Sequence, residues 1–179
     1  RRITTEGERL TIGEETTLGD ASGDGSIASN GADFAVCSGT SLYTGSGTTE
    51  LQPACSLEAS CVGLAYDGEG WGVGWAPGCD APGELTRTNL GGAPRDDGSV
   101  ETSAIVVSVA SSDDGFGALV GGESLTLLAW PRGTAVPTTY PLGGLSNAIA
   151  ALSAWPFDPG AWAVFTLQDT TLRMRVLSA

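Results

Sequence analysis

The chain has 179 residues, of which 41% are apolar, and its formal net charge is −13. This length allows one sizeable domain with a hydrophobic core. All eight basic side chains are arginines, which argues against nucleic acid or an anionic membrane as a partner, because affinity for phosphate-rich partners depends on basic side chains. No apolar run approaches the roughly 20 residues that a membrane-spanning helix needs.

Apolar residues alternate along most of the chain, and Gly or Pro interrupts almost every window, so the sequence predicts strands rather than helices. In chain order, the clearest expected strands are 2–5, 9–12, 26–28, 41–43, 61–65, 84–86, 104–110, 124–130, 135–140, 148–155 and 171–177. Only residues 144–155 also allow a helical interpretation. We interpret 148–155 as a strand because of its place in a repeated pattern.

That pattern occurs four times, as a turn rich in Asp, Asn, Gly or Pro, then an aromatic residue, then a small apolar residue two positions later. The copies are SNGADFAVCS (29–38), YDGEGWGVGW (66–75), SSDDGFGALV (111–120) and FDPGAWAVFT (157–166). Their aromatic residues, Phe34, Trp71, Phe116 and Trp162, are 37, 45 and 46 residues apart. Each copy has an expected strand before and after it, and up to four antiparallel strands per roughly 45 residues are typical of one β-propeller blade.

The clearest copy, Asp-Gly-x-Gly-aromatic-x-Val-x-Trp, resembles the tandem repeats of secreted bacterial β-propellers, especially the Gly/Asp-rich kind of surface proteins in myxobacteria and related groups. The resemblance implies a propeller, a non-cytoplasmic setting and often a binding or scaffolding role, and it brings no catalytic residues. We therefore expect an all-β, β-propeller-like fold of about four blades in a single domain. The units are roughly 14–55, 56–99, 100–143 and 144–179, with 1–13 as a closing strand.

We expect the ring to close because the last unit lacks a fourth strand. Residues 171–179 supply a third strand and then stop, whereas Arg9–Ile12 resembles a fourth strand. We expect Arg9–Ile12 to pair with Leu172–Val176, because this pairing joins the termini in one blade and removes two exposed sheet edges.

The glycines of YDGEGWGVGW also allow a phosphate-binding loop, but that loop requires a following helix, and the sequence predicts none. We instead assign Asp67–Gly70 to a hairpin turn, where glycine tolerates positive φ. Gly72 and Gly74 are expected to face a neighbouring sheet that approaches closely.

Four cysteines indicate two disulfides and an oxidising compartment, which would be extracellular, at the cell surface or in the periplasm. A zinc site is the alternative, but five residues separate Cys55 from Cys61 and the chain has no His. In a propeller all four cysteines would gather on one face. We expect the pairs Cys37–Cys55 and Cys61–Cys79, each of which spans 18 residues.

Asp20, Ser22 and Asp24 place oxygen-bearing side chains at alternate positions before a glycine, as a calcium loop does. The twelfth position of such a loop is Gly31 rather than a bidentate Glu, so a solvated turn is the preferred interpretation. No other cofactor is expected.

The acidic clusters 95–99 and 112–115 are interpreted as turns rather than as paired catalytic carboxylates, and the five Trp residues as core. The chain has neither His nor Lys to serve as a base, so we expect no nucleophilic catalysis and no enzyme. The sequence favours a non-catalytic extracellular propeller that acts as an interaction or structural subunit, with a protein partner or larger assembly. The alternative is a carbohydrate-binding or carbohydrate-active propeller. Buried Trp with scattered Asp would favour the first function, and a pocket that unites them the second.

Overall fold

The computed structural model describes residues 3–6, 9–12, 25–51, 59–76, 82–122, 124–143, 149–158, 160–168 and 170–178. Within these ranges every regular element is a β-strand, so the fold is all-β. The expected strand at 148–155 is confirmed as Ile149–Ala154.

The strands form five antiparallel sheets, in which strands adjacent in sequence are also adjacent in space. The N-terminal hairpin contains β1 (Ile3–Glu6) and β2 (Arg9–Ile12). Sheet 1 contains β3 (Gly25–Ser29), β4 (Phe34–Ser38), β5 (Ser41–Thr44) and β6 (Gly47–Glu50). Sheet 2 contains β7 (Ser60–Tyr66), β8 (Gly70–Ala76), β9 (Glu84–Asn89) and β10 (Pro94–Glu101). Sheet 3 contains β11 (Ile105–Ser112), β12 (Gly115–Gly121), β13 (Leu125–Pro131) and β14 (Thr138–Gly143). Sheet 4 contains β15 (Ile149–Ala154), β16 (Trp162–Gln168) and β17 (Thr171–Leu177).

The four larger sheets stack in chain order, with three apolar clusters at the sheet interfaces. One cluster joins sheet 1 to sheet 2 around Trp71 and Trp75. A second joins sheet 2 to sheet 3 around Phe116 and Trp130, and the third joins sheet 3 to sheet 4 around Trp162. The hydrophobic core is therefore divided into three clusters, one at each interface between neighbouring sheets, and each contains buried aromatic side chains.

The first strands of the four sheets lie side by side, since β3 packs beside β7, β7 beside β11, and β11 beside β15. Residues from all four strands border one open cavity of about 330 Å³, which Ala28, Ala65, Ala110 and Leu152 help to line. The sheets are thus arranged with their first strands towards a shared space.

The expected pairing of Arg9–Ile12 with Leu172–Val176 is wrong. Arg9–Ile12 is β2, and it pairs with β1, with Glu6 opposite Arg9. β17 pairs with β16 and forms an edge of sheet 4. Pairing with the adjacent strand β1 satisfies the backbone groups along one edge of β2, and in the described part of the chain sheet 4 does not extend to its other edge.

The acidic stretch 95–99 was expected to be a turn, but it lies within β10. Pro94 is opposite Thr88 and Ser99 is opposite Thr86, so the four residues between Pro94 and Ser99 bulge out of the sheet. A bulge of this kind uses the same residue types as a turn, which explains the misleading composition.

Candidate functional site

The turn between β7 and β8 is organised by the side chain of Asp67. Its Oδ1 accepts hydrogen bonds from the backbone amides of Glu69, at 2.9 Å, and Gly70, at 2.7 Å. Gly68, between Asp67 and Glu69, has a φ of 94°, which favours glycine. The expected hairpin turn is confirmed, and it buries the Asp67 carboxylate completely.

The turn between β3 and β4 has the same construction. There the Oδ1 atom of Asn30 accepts hydrogen bonds from the amides of Ala32, at 2.9 Å, and Asp33, at 2.6 Å. Side chains of Asn and Asp commonly accept a hydrogen bond from the backbone amide two residues later, so both turns use the same local motif.

Arg87 on β9 is the partner of the buried Asp67 carboxylate. Its side chain is fully buried, and its Nε lies 3.4 Å from Asp67 Oδ2. Nη1 donates a hydrogen bond to the carbonyl oxygen of Thr134 at 2.8 Å. Nη2 donates to the carbonyl oxygens of Trp130, at 2.8 Å, and Pro131, at 2.7 Å. Arg87 therefore ties sheet 2 to the end of β13 in sheet 3.

The Arg87 guanidinium also lies against two aromatic rings of sheet 3. Its central carbon is 4.4 Å from the ring centroid of Trp130 and 5.6 Å from that of Phe116. These distances are in the range of cation–π contacts. Arg87 is not among the site residues predicted from the sequence. The available signal is one basic residue in the inward-facing register of an otherwise uncharged strand stretch, Leu85–Asn89.

A second polar feature is a cavity of about 380 Å³ between sheets 3 and 4. The turn that joins β11 to β12 contributes Asp113 and Asp114, and β14 contributes Tyr140. Ala129 and Trp162 form part of its wall. Asp113 and Asp114 were expected in a turn, and the structure confirms that position.

Arg132 also borders this cavity, and its guanidinium bonds to two backbone carbonyl oxygens. Nη2 donates a hydrogen bond to the carbonyl oxygen of Asp113 at 2.8 Å, and Nε to that of Asp67 at 3.3 Å. The carboxylates of Asp113 and Asp114 are exposed and make no hydrogen bond or ion pair with the described part of the chain. The mouth of the cavity is therefore acidic.

Four of the five Trp residues are core, as expected: Trp71, Trp75, Trp130 and Trp162 are at most 4% exposed. Three of their ring N–H groups donate hydrogen bonds within the protein, to Leu90, Thr86 and Thr134. The fifth, Trp155, follows β15 and packs against Phe157, with 5.2 Å between the ring centroids.

The predicted disulfide pairing is wrong. Cys37 on β4 is bonded to Cys61 on β7, and the two Cα atoms are 6.0 Å apart. The backbone amide of Cys61 donates a hydrogen bond to Gly39, which places the start of β7 next to the end of β4. Facing surfaces of sheets 1 and 2 thus decide the pairing, and equal sequence spacing does not. Cys55 and Cys79 lie outside the described residues.

The calcium candidates Asp20, Ser22 and Asp24 also lie outside the described residues. Within the described ranges, no three Cys, Asp or Glu side chains come together as metal ligands would. Nor does any described segment form a helix with the length and apolarity that crossing a bilayer requires.

Sheet 4 has a large exposed apolar face. Leu172, Met174 and Val176 alternate along β17 and are 70%, 50% and 41% exposed. Leu167 on β16 lies opposite Leu172 and is 37% exposed. Sheet 1, at the other end of the stack, exposes Ile27 at 70%.

No protein-family model and no curated protein sequence matches this chain.

Proposed function

We propose that the chain is a β-propeller-like, non-catalytic subunit that acts in interaction or structural assembly outside the cytoplasm. The propeller arrangement is supported by four consecutive antiparallel sheets whose first strands adjoin in order. These strands border one cavity, as the innermost strands of propeller blades border a central channel.

The exposed apolar face of sheet 4 carries the proposal of an interaction role. Leu172, Met174 and Val176 lie on one side of β17 and contribute no charge, although the protein has a formal net charge of −13. Contiguous exposed apolar surface on an otherwise polar protein marks a contact surface. An interaction subunit explains this face better than an enzyme does.

The distribution of ionisable groups supports a non-catalytic role. The chain has no His and no Lys, and many of the described carboxylates lie in turns or in the β10 bulge. Of the others, Asp67 pairs with Arg87, and Glu50 and Glu84 accept hydrogen bonds from neighbouring hydroxyl groups. This buried ion pair lies within sheet 2, and the hydrogen bonds of Arg87 to carbonyl oxygens of sheet 3 give it a structural role. The proposal therefore assigns no residue to acid–base or nucleophilic chemistry.

The disulfide between Cys37 and Cys61 supports the extracytoplasmic setting, because disulfides persist in oxidising compartments. Extracellular, cell-surface and periplasmic locations all provide such conditions.

A carbohydrate-binding role receives less support. The cavity between sheets 3 and 4 does unite Asp113 and Asp114 with Trp162, as that role would need. However, Trp162 is 4% exposed and Trp130 is fully buried, so neither ring exposes a face wide enough for a sugar ring to stack on.

The experiment uses Met174, which is the single Met of the chain. Oxidation by dilute peroxide reports whether its sulfur is accessible. We expect Met174 to be oxidised quickly in the dilute purified chain and slowly in native material that keeps its partners. Radical labelling of Phe157, which is 81% exposed, controls for reagent access. Equal oxidation rates of Met174 in both samples would refute the interaction role of this face.

A further inference from the structure

Two neighbouring interfaces of the protein share one geometry. An added Cβ at Gly72 would lie 2.7 Å from the Phe116 ring, and one at Gly117 would lie 2.9 Å from the Trp162 ring. In each interface, therefore, an aromatic side chain of the following sheet packs directly on a glycine of the preceding sheet.

The residues opposite these glycines occupy equivalent positions. Gly72 on β8 is paired with Arg87, whereas Gly117 on β12 is paired with Ala129. Ala129 thus stands where Arg87 stands one sheet earlier. The cavity between sheets 3 and 4 is lined by Ala129 and Trp162, so it opens at the position that the Arg87 side chain fills between sheets 2 and 3.

The filled interface shows what this position accommodates. Arg87 places a guanidinium against the Phe116 and Trp130 rings, next to the Asp67 carboxylate and three carbonyl oxygens. Planar guanidinium groups match such surroundings better than ammonium groups do, because they combine a fork of donors with a stacking face.

The cavity keeps the aromatic and acidic elements of this environment. Trp162 replaces Phe116, and Tyr140 supplies a second ring. Ser112 takes the position of Asp67, and the carboxylates follow immediately at Asp113 and Asp114. The Arg132 guanidinium, held by carbonyl oxygens of Asp67 and Asp113, offsets one of the two negative charges.

We propose that this cavity binds a guanidinium group, which is paired with Asp114 and contacts the small part of the Trp162 ring that borders the cavity. An arginine side chain of a partner polypeptide and a free guanidine compound share this chemistry. A partner polypeptide as the source of the arginine follows from the proposed interaction role, on which this part of the inference rests. Recognition of the guanidinium itself depends only on the cavity.

The first test compares three blocked amino acids by isothermal titration calorimetry: Nα-acetyl-arginine amide, the lysine analogue and the neutral citrulline analogue. Citrulline has nearly the shape of arginine without its charge. We expect binding in the order arginine, lysine, citrulline, with arginine about tenfold tighter than citrulline because charge-assisted hydrogen bonds are the strong ones. Equal binding of arginine and citrulline, no binding of arginine, or preferential binding of a neutral oligosaccharide would overturn the proposal.

Two variants locate the site. Asp114→Asn should weaken arginine binding about three- to tenfold, because it removes a partly solvated ion pair. Ala129→Arg should abolish binding, since the new side chain would occupy the cavity as Arg87 occupies its own interface. Asp96→Asn, an exposed change on β10, is the matched control and should leave binding unchanged. If Ala129→Arg does not fold, Asp114→Asn decides alone: an affinity equal to that of the Asp96→Asn control would refute the assignment.

The source of the guanidinium is distinguished by a peptide with one central arginine. Binding at least as tight as that of the blocked amino acid supports a partner side chain, whereas tighter binding of free arginine supports a small guanidine compound. Failure of the whole ligand series together with slow Met174 oxidation in native material would refute the cavity proposal and leave the interaction role standing. Arginine binding together with equal Met174 oxidation rates would support the cavity proposal and refute the interaction role of the sheet 4 face.

Discussion

The interfaces between sheets 2 and 3 and between sheets 3 and 4 use the same ring-on-glycine contact, yet only the first is filled. Arg87 occupies the first interface, and its fully buried side chain bonds to three carbonyl oxygens. At the corresponding position of the second, Ala129 leaves a cavity of about 380 Å³. The residue opposite the glycine therefore decides whether a buried arginine bonds one sheet to the next or a cavity separates the two sheets.

The largest expected effect is that of Arg87→Leu. This change leaves the partly exposed Arg95 as the remaining guanidinium beside the buried Asp67 carboxylate, and breaking a buried ion pair typically costs about 3–5 kcal/mol. Urea unfolding should show a loss of this size in the free energy of unfolding. Arg173→Leu, an exposed change on β17, should cost no more than about 0.5 kcal/mol. Equal losses in the two variants would show that burial of Arg87 is not important for stability.

The double variant Arg87→Ala with Asp67→Ser sharpens the comparison, because it copies the Ser112 and Ala129 pair of the other interface. We expect it to lose less stability than the two single variants together, since no unpaired buried charge remains. Urea unfolding of all four proteins forms the double-mutant cycle, and strict additivity would contradict a direct coupling of the two side chains.

The interface between sheets 1 and 2 adds a covalent link to the comparison. Replacing both Cys37 and Cys61 with Ala should lower the free energy of unfolding by about 3 kcal/mol, because the disulfide closes a loop with a sequence separation of 24 residues. Peptide mapping under non-reducing conditions should first recover Cys37 joined to Cys61. Recovery of Cys37 joined to Cys55 would instead favour the pairing expected from spacing.

Matched glycine substitutions test the shared contact itself. Gly72→Ala should cost about 1–3 kcal/mol, because the new methyl group would meet the Phe116 ring in a filled interface. Gly117→Ala meets the Trp162 ring, which borders the cavity and has room to move, so its cost should be smaller. Thermal unfolding of both variants checks the order, and the reverse order would mean that the cavity does not relieve crowding.

The smallest effect is expected for Arg95→Ala. Arg95 Nη1 lies 3.3 Å from Asp67 Oδ2 and 2.9 Å from Glu69 Oε2, but its side chain is 19% exposed. Ion pairs that reach solvent contribute at most about 1 kcal/mol. Urea unfolding should place this loss well below that of Arg87→Leu, although both arginines contact the same carboxylate.

The sequence predicted the strands because alternation reports which side of a strand is buried. Thr171–Leu177 was predicted with its exact bounds, and the hairpin turn at Asp67 followed from its glycines. Sequence patterns did not predict Arg87, because basic residues are usually exposed and its burial depends on an ion pair and on carbonyl oxygens 43 to 47 residues away.

Contacts between sheets could not be predicted from the sequence either. Both the expected pairing of cysteines and the expected pairing of Arg9–Ile12 with β17 were inferred from position along the chain, whereas the actual partners are set by which surfaces meet. The cavity could not be predicted for the same reason, since Asp114, Tyr140 and Trp162 come from three different strands or turns of two sheets.

β17 forms an edge of its sheet, and its backbone could therefore template the addition of a foreign strand. Two of the eight basic residues in the chain, Arg173 and Arg175, lie on this one strand and alternate with its apolar side chains. Arg175 also donates a hydrogen bond to the carbonyl oxygen of Leu142 at 2.7 Å. Stacking β17 strands of separate molecules in register would bring like charges together at every second residue. The two arginines thus act against fibrillar aggregation of this strand, whose other side exposes Leu172, Met174 and Val176.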